Sequence, residues 1–70
     1  MDTKLIADVI AKSGYRKRFI SDKMGMSYAV FISRITGKTC FKDQEIVKFC
    51  SVLGVYSKMR DRIFFAQEVD

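Results

Sequence analysis

Apolar residues along the chain fall into short runs of helical period, most of them closed by a glycine. Leu5, Ile6, Val9 and Ile10 sit at i, i+1, i+4 and i+5, one stripe of a 3.6-residue repeat that stops at Ser13-Gly14. They predict a first helix over residues 2–13. A second is predicted from Arg16 to Met24, with Ile20 and Met24 four apart on its inner face and Gly25 behind it as a left-handed C-terminal cap. Ser27 offers its hydroxyl as N-cap to a third helix, Tyr28 to Thr36, whose end is marked by Gly37. A fourth spans Asp43 to Leu53, turning Ile46, Val47, Phe49, Cys50 and Leu53 inward, with Gly54 as its stop. The last run, Lys58 to Gln67, has Ser57 as its cap and Met59, Ile63, Phe64 and Phe65 to bury. Val30-Phe31-Ile32 is β-prone, but it lies between a cap and a glycine at helical spacing. The expected fold is therefore all-α, five short helices in one domain over residues 1–70.

Composition narrows the function classes. A chain of 70 residues has room for one core, and 49% apolar with 30% charged residues is the balance of a folded domain. Its longest uncharged stretches, Met24–Ser33 and Phe49–Ser57, are ten and nine residues, against roughly 20 for a bilayer span. The start, MDTKLIADVI, mixes acid with base and lacks the apolar core of a signal peptide, so a cytoplasmic location is expected. With no histidine and only Cys40 and Cys50 as soft ligands, neither a zinc site nor another cofactor is expected. Both thiols read as small buried or half-buried apolar residues, left unpaired by a reducing compartment. Without histidine, and with no nucleophile or carboxylate pair beside a base, general acid–base and nucleophilic catalysis lack their groups. The expectation is a binding protein, not an enzyme.

The position of the charge indicates what is bound. Net charge is +5, but Lys12, Arg16, Lys17, Arg18, Lys23, Arg34 and Lys38 face the single acid Asp22 within residues 12–38, so that segment carries +6 and the remainder −1. A concentrated basic segment favours an anionic partner. The same segment contains helix, glycine-bearing tight turn, helix over Lys17–Ile35. Ser21 is the small residue where two helices approach, Gly25 makes the turn, and Ile20, Met24, Met26, Phe31 and Ile35 form an apolar wedge.

GYRKRFISDKMGMSYAVFISRITGK, residues 14–38, resembles the core of the phage repressor and Cro-like helix-turn-helix family, the lambda repressor-like domains. The tail CFKDQEIVKFCSVLG, followed by IFFAQEVD, is similar to a subgroup of small phage-encoded regulators. The resemblance covers nearly the whole chain. It implies sequence-specific binding of double-stranded operator DNA by a homodimer, with the helix at 28–36 in the major groove. The departures are informative. Arg16-Lys17 replaces the usual Thr-Gln helix start, Ser21 stands for the commoner Ala, and Tyr28-Ala29-Val30-Phe31-Ile32-Ser33-Arg34 is more apolar than the family's groove-reading helix.

On this reading Arg16, Lys17, Arg18 and Lys38 contact phosphates, joined by the Ser27 hydroxyl at the positive end of helix three. Tyr28, Ala29 and Ser33 approach base edges, and Arg34 takes a flanking phosphate or a guanine. Ala29, Val30 or Ile32 reads thymine methyls. Tyr28 has a second reading, as a surface aromatic covering the seam between helices two and three. Lys12 and Lys23 are expected to be solvated and Phe19 exposed. Of the adjacent Phe64 and Phe65, one is expected to make a dimer contact, with a satellite core cluster as the alternative. The competing function is an anti-repressor or modulator that binds a phage repressor protein through Tyr28, Val30 and Ile32 inside a basic rim.

Overall fold

Local hydrogen bonds set the helix boundaries. In the computed structural model, which describes residues 1–65, the regular structure is helical throughout: α1 Thr3–Ser13, α2 Lys17–Met24, α3 Tyr28–Ile35, α4 Asp43–Leu53 and α5 Ser57–Arg60. The last of these runs straight into a π-helical turn, Asp61–Phe65. Asp2 caps α1 through Oδ1, which accepts from the Leu5 N–H at 3.0 Å. Ser27 caps α3 in the same way, its Oγ accepting from the Val30 N–H at 3.2 Å. Gly25, at φ 72°, closes α2 in the left-handed region, so that the Gly25 N–H reaches the Asp22 carbonyl and the Met26 N–H the Ser21 carbonyl. Any Cβ-bearing residue would be strained there. Residues 66–70 lie outside the described region, and with them the end of the predicted fifth helix and the Val69-Asp70 match.

One face of each helix feeds a shared core. Ile6 and Ile10 of α1, Ile20 and Met24 of α2, Phe31 and Ile35 of α3, and Ile46, Phe49 and Cys50 of α4 are buried together with Val55 and Ile63. Both α1 and α2 pack against α4, and α3 packs against α1 and α2. The segment before α1 is tied to the π-helical turn by the Asp2 N–H, which donates to the Ile63 carbonyl at 2.8 Å. Ser21 is wholly buried, and its hydroxyl donates to the Arg18 carbonyl at 2.9 Å, so no polar atom there lacks a partner.

The departures from expectation cluster at the α4–α5 side. Val47 is 67% exposed instead of buried. Leu53 is half-buried. Ser57 does not cap α5: it is the first helical residue, at φ 51°, behind an extended Tyr56, and no side chain caps this helix. Met59 and Phe65 are exposed, whereas Ile63 is buried. Phe64 turns inward and meets Phe41 and Phe49 edge to face, at centroid distances of 5.1 and 5.8 Å. Phe64 thus takes part in the satellite aromatic cluster, and Phe65, 54% exposed, is the outward member of the pair. Cys50 is buried, and burial pushes its thiol pKa up; Cys40, expected to be at least half-buried, is exposed. No described helix is long and apolar enough to cross a membrane.

Candidate nucleic-acid interface

The turn from α1 to α2 decides where the first cations stand. The Ser13 hydroxyl donates to the Ile10 carbonyl at 2.6 Å and accepts from the Tyr15 N–H at 3.0 Å, which folds the chain sharply around Gly14. Arg16 follows as the residue preceding α2, in extended conformation and without a side-chain cap bond. Consequently α2 begins with its N–H groups uncapped and with Arg16, Lys17 and Arg18, all exposed, at its positive end. Neither α2 nor α3 has an acidic residue in its first turn. Three cations at the positive end of a helix repel its dipole, and an anion placed there relieves both.

Across the turn, the Arg18 guanidinium lies over the Tyr28 ring, 4.5 Å from its centroid. This contact joins the side chains of the second residue of α2 and the first of α3. It bears on Tyr28 twice: the ring spans the seam between the helices, as its second reading expects, and it still stands 37% exposed at the surface. Ser27 adjoins it. Its oxygen accepts the cap bond, which leaves the O–H proton free to donate outward. Ala29 and Val30 are exposed beside Tyr28.

The other end of α3 is organised differently. Ser33 and Ile32 are half-buried, and Ile32 packs on the core, so it does not belong to the exposed reading face. Arg34 is not a free cation. Its Nε donates to Glu45 Oε1 at 2.8 Å, one terminal nitrogen reaches Glu45 Oε2 at 3.4 Å, and the other donates to the Thr39 hydroxyl at 2.6 Å. With the two side chains 14% and 16% exposed, this is a partly buried ion pair that fastens the end of α3 to the start of α4. Arg34, expected to take a phosphate or a guanine, is engaged within the chain by Glu45 and Thr39. Lys38 is exposed beyond Gly37, at the opposite end of α3 from Tyr28.

Glu45 was not singled out from the sequence. It accepts from the Lys42 backbone N–H at 2.9 Å as well as from Arg34, and these bonds hold its carboxyl below the usual carboxylate pKa, the Arg34 bond most of all. A glutamate three residues after a helix boundary is a legible capping signal; its partnership with Arg34, eleven residues away, has no local signature.

A second surface lies on the α4–α5 side. Val47, Tyr56 and Phe65, 54–67% exposed, border an apolar cleft of about 370 Å³ floored by Ile46, Cys50 and Val55. Asp43 and Arg60 stand among its lining residues. Of this group, the sequence marks Phe65 as a candidate contact and Val47 as a core residue, and it gives Tyr56 no role. Among the described residues no three His, Cys, Asp or Glu side chains come together as a metal site. No family model, curated protein or solved structure matches the chain.

Proposed function

We propose that α2 and α3 form a helix-turn-helix of the lambda repressor-like kind and that the protein is a sequence-specific DNA-binding regulator. The observation that carries this reading is the Arg18–Tyr28 contact, because it gathers two uncapped or singly capped helix starts and the Arg16, Lys17 and Arg18 cations into one anion-seeking edge. On this reading Arg16, Lys17, Arg18 and the Ser27 hydroxyl take phosphates, and Lys38 takes one at the far end of α3. Tyr28 and Ala29 meet base edges, with Val30 against thymine methyls. Ser33, half-buried, sits at the margin of that face. Specificity is modest per protomer, since the face lacks the Asn, Gln and free Arg that bond purines bidentately. A homodimer compensates by reading two half-sites about 34 Å apart. Its contact surface is the Val47, Tyr56 and Phe65 face, which is nearly free of net charge.

The test is titration of the protein against its own upstream DNA and a scrambled duplex at two salt concentrations. Regulator binding prefers the native duplex by about 10³-fold or more, and Lys17→Ala lowers the log–log salt slope by about one unit for every sequence. Equal, weak and steeply salt-dependent binding to both duplexes removes this reading. The exposed Tyr28 and Val30 within a basic rim then favour the modulator, which docks on a repressor protein through the same face.

A further inference from the structure

We propose that the outer flank of α2 is a second nucleic-acid site, a stacking platform for single-stranded DNA. Phe19 and Lys23 lie four apart on α2, away from the buried Ile20, Ser21 and Met24, and Tyr15, two residues before the helix begins, sets its ring against Phe19. The Tyr15 and Phe19 rings are 46% and 42% exposed, with centroids 4.9 Å apart and planes tilted by 41°. The Lys23 ammonium stands 5.5 Å from the Phe19 centroid. Arg16 lies next to Tyr15 in the chain.

Duplex recognition at the starts of α2 and α3 leaves these rings without a role. In a duplex the bases are stacked on one another and offer a protein only their edges, so a phenyl face has nothing to stack upon. Unpaired bases expose their faces, and exposed aromatic rings flanked by cations are the arrangement that holds them. The two adjoining rings, with centroids 4.9 Å apart, offer room for one or two bases at about 3.4 Å each. Arg16 and Lys23 supply the positive charge. Asp22, the single acid on α2, stands four residues from Arg18 and three from Phe19. An acidic protein partner fits the charges equally well but gives two adjoining open rings no particular partner, so the strand is the better occupant.

The experiment uses fluorescence anisotropy of the full chain with a labelled oligothymidine, an abasic strand of the same length and charge, an oligouridine and a duplex. Oligothymidine is expected to bind at least tenfold more tightly than the abasic strand. Phe19→Leu and Tyr15→Leu, which keep an apolar side chain at exposed positions, are each expected to weaken oligothymidine by about 5- to 150-fold while duplex affinity stays at the parent value. A circular-dichroism melt checks that each variant remains folded. Equal binding of oligothymidine and the abasic strand, or undiminished oligothymidine binding in both variants, overturns the platform. Tighter binding of oligouridine than oligothymidine overturns its assignment to DNA. The duplex arm reports on the α2–α3 reading separately, so either can fail alone.

Discussion

Four of the helices begin in two different ways. The starts of α1 and α4 are neutralised within the chain: Asp2 caps α1, and Asp43 and Glu45 occupy the first turn of α4. The starts of α2 and α3 have no acid, and α2 carries Arg16, Lys17 and Arg18 with no side-chain cap. Both arrangements belong to one small fold, so the difference is not a requirement of folding. Acid at a helix start stabilises by a few tenths to about 1 kcal/mol, and base there opposes the dipole. The α2–α3 edge forgoes that stabilisation, and on the proposed reading a phosphate supplies the missing negative charge. Charge follows the same division: residues 12–38 carry +6, while from residue 39 onward acids and bases are equal. The α4–α5 side leaves apolar Val47, Tyr56 and Phe65 in solvent instead.

The comparison breaks most severely at its common support. Phe49 is wholly buried between the α2-facing core and the Phe41–Phe64 rings, so Phe49→Ala should cost about 3–5 kcal/mol of unfolding free energy in urea. A loss below about 1 kcal/mol would mean the aromatic cluster is not part of the cooperative core. Next in size, Tyr28→Ala should cost about 1–3 kcal/mol of binding at one half-site position. If binding to all sequences falls alike, Tyr28 positions the helix through Arg18 and reads no base.

The Arg34–Glu45 pair links the two regions and makes their connection pH-dependent. Because the folded state holds the Glu45 carboxyl below its ordinary pKa, its stabilisation is complete above the ordinary carboxylate range and is lost as pH falls through the lowered folded value. Glu45→Gln should therefore melt at a lower temperature than the parent at neutral pH, with the difference closing in acid. A gap that stays constant with pH would show that the charge of Glu45 is not what matters. Smallest for stability is Val47→Lys, a surface change expected to alter unfolding by no more than about 0.5 kcal/mol at low protein concentration. If the protein forms the proposed homodimer, sedimentation should show the variant as a monomer; a variant that still dimerises would place the interface elsewhere.

Helix ends were legible because their bonds are local. The Ser27 cap, the Gly25 stop and the bounds of α4 each depend on residues within about five positions, and sequence reading placed all three. The buried stripe of α1 and the Ile20–Met24 pair followed from period alone. At the candidate site the same local logic picked out Arg16, Lys17, Arg18, Ser27 and Tyr28, but not how they stand to one another. That Arg18 lies over Tyr28, that Arg34 is spent on Glu45 and Thr39, and that Phe64 enters while Phe65 stays out are settled by how helices cross. Val47 shows the reason most simply. It lies on an apolar stripe of α4 that periodicity marks as buried, yet burial requires a neighbour, and among the described residues none covers it. Periodicity states which face a helix can bury; only the packing of the other helices decides how much of that face is covered and which charges are left free.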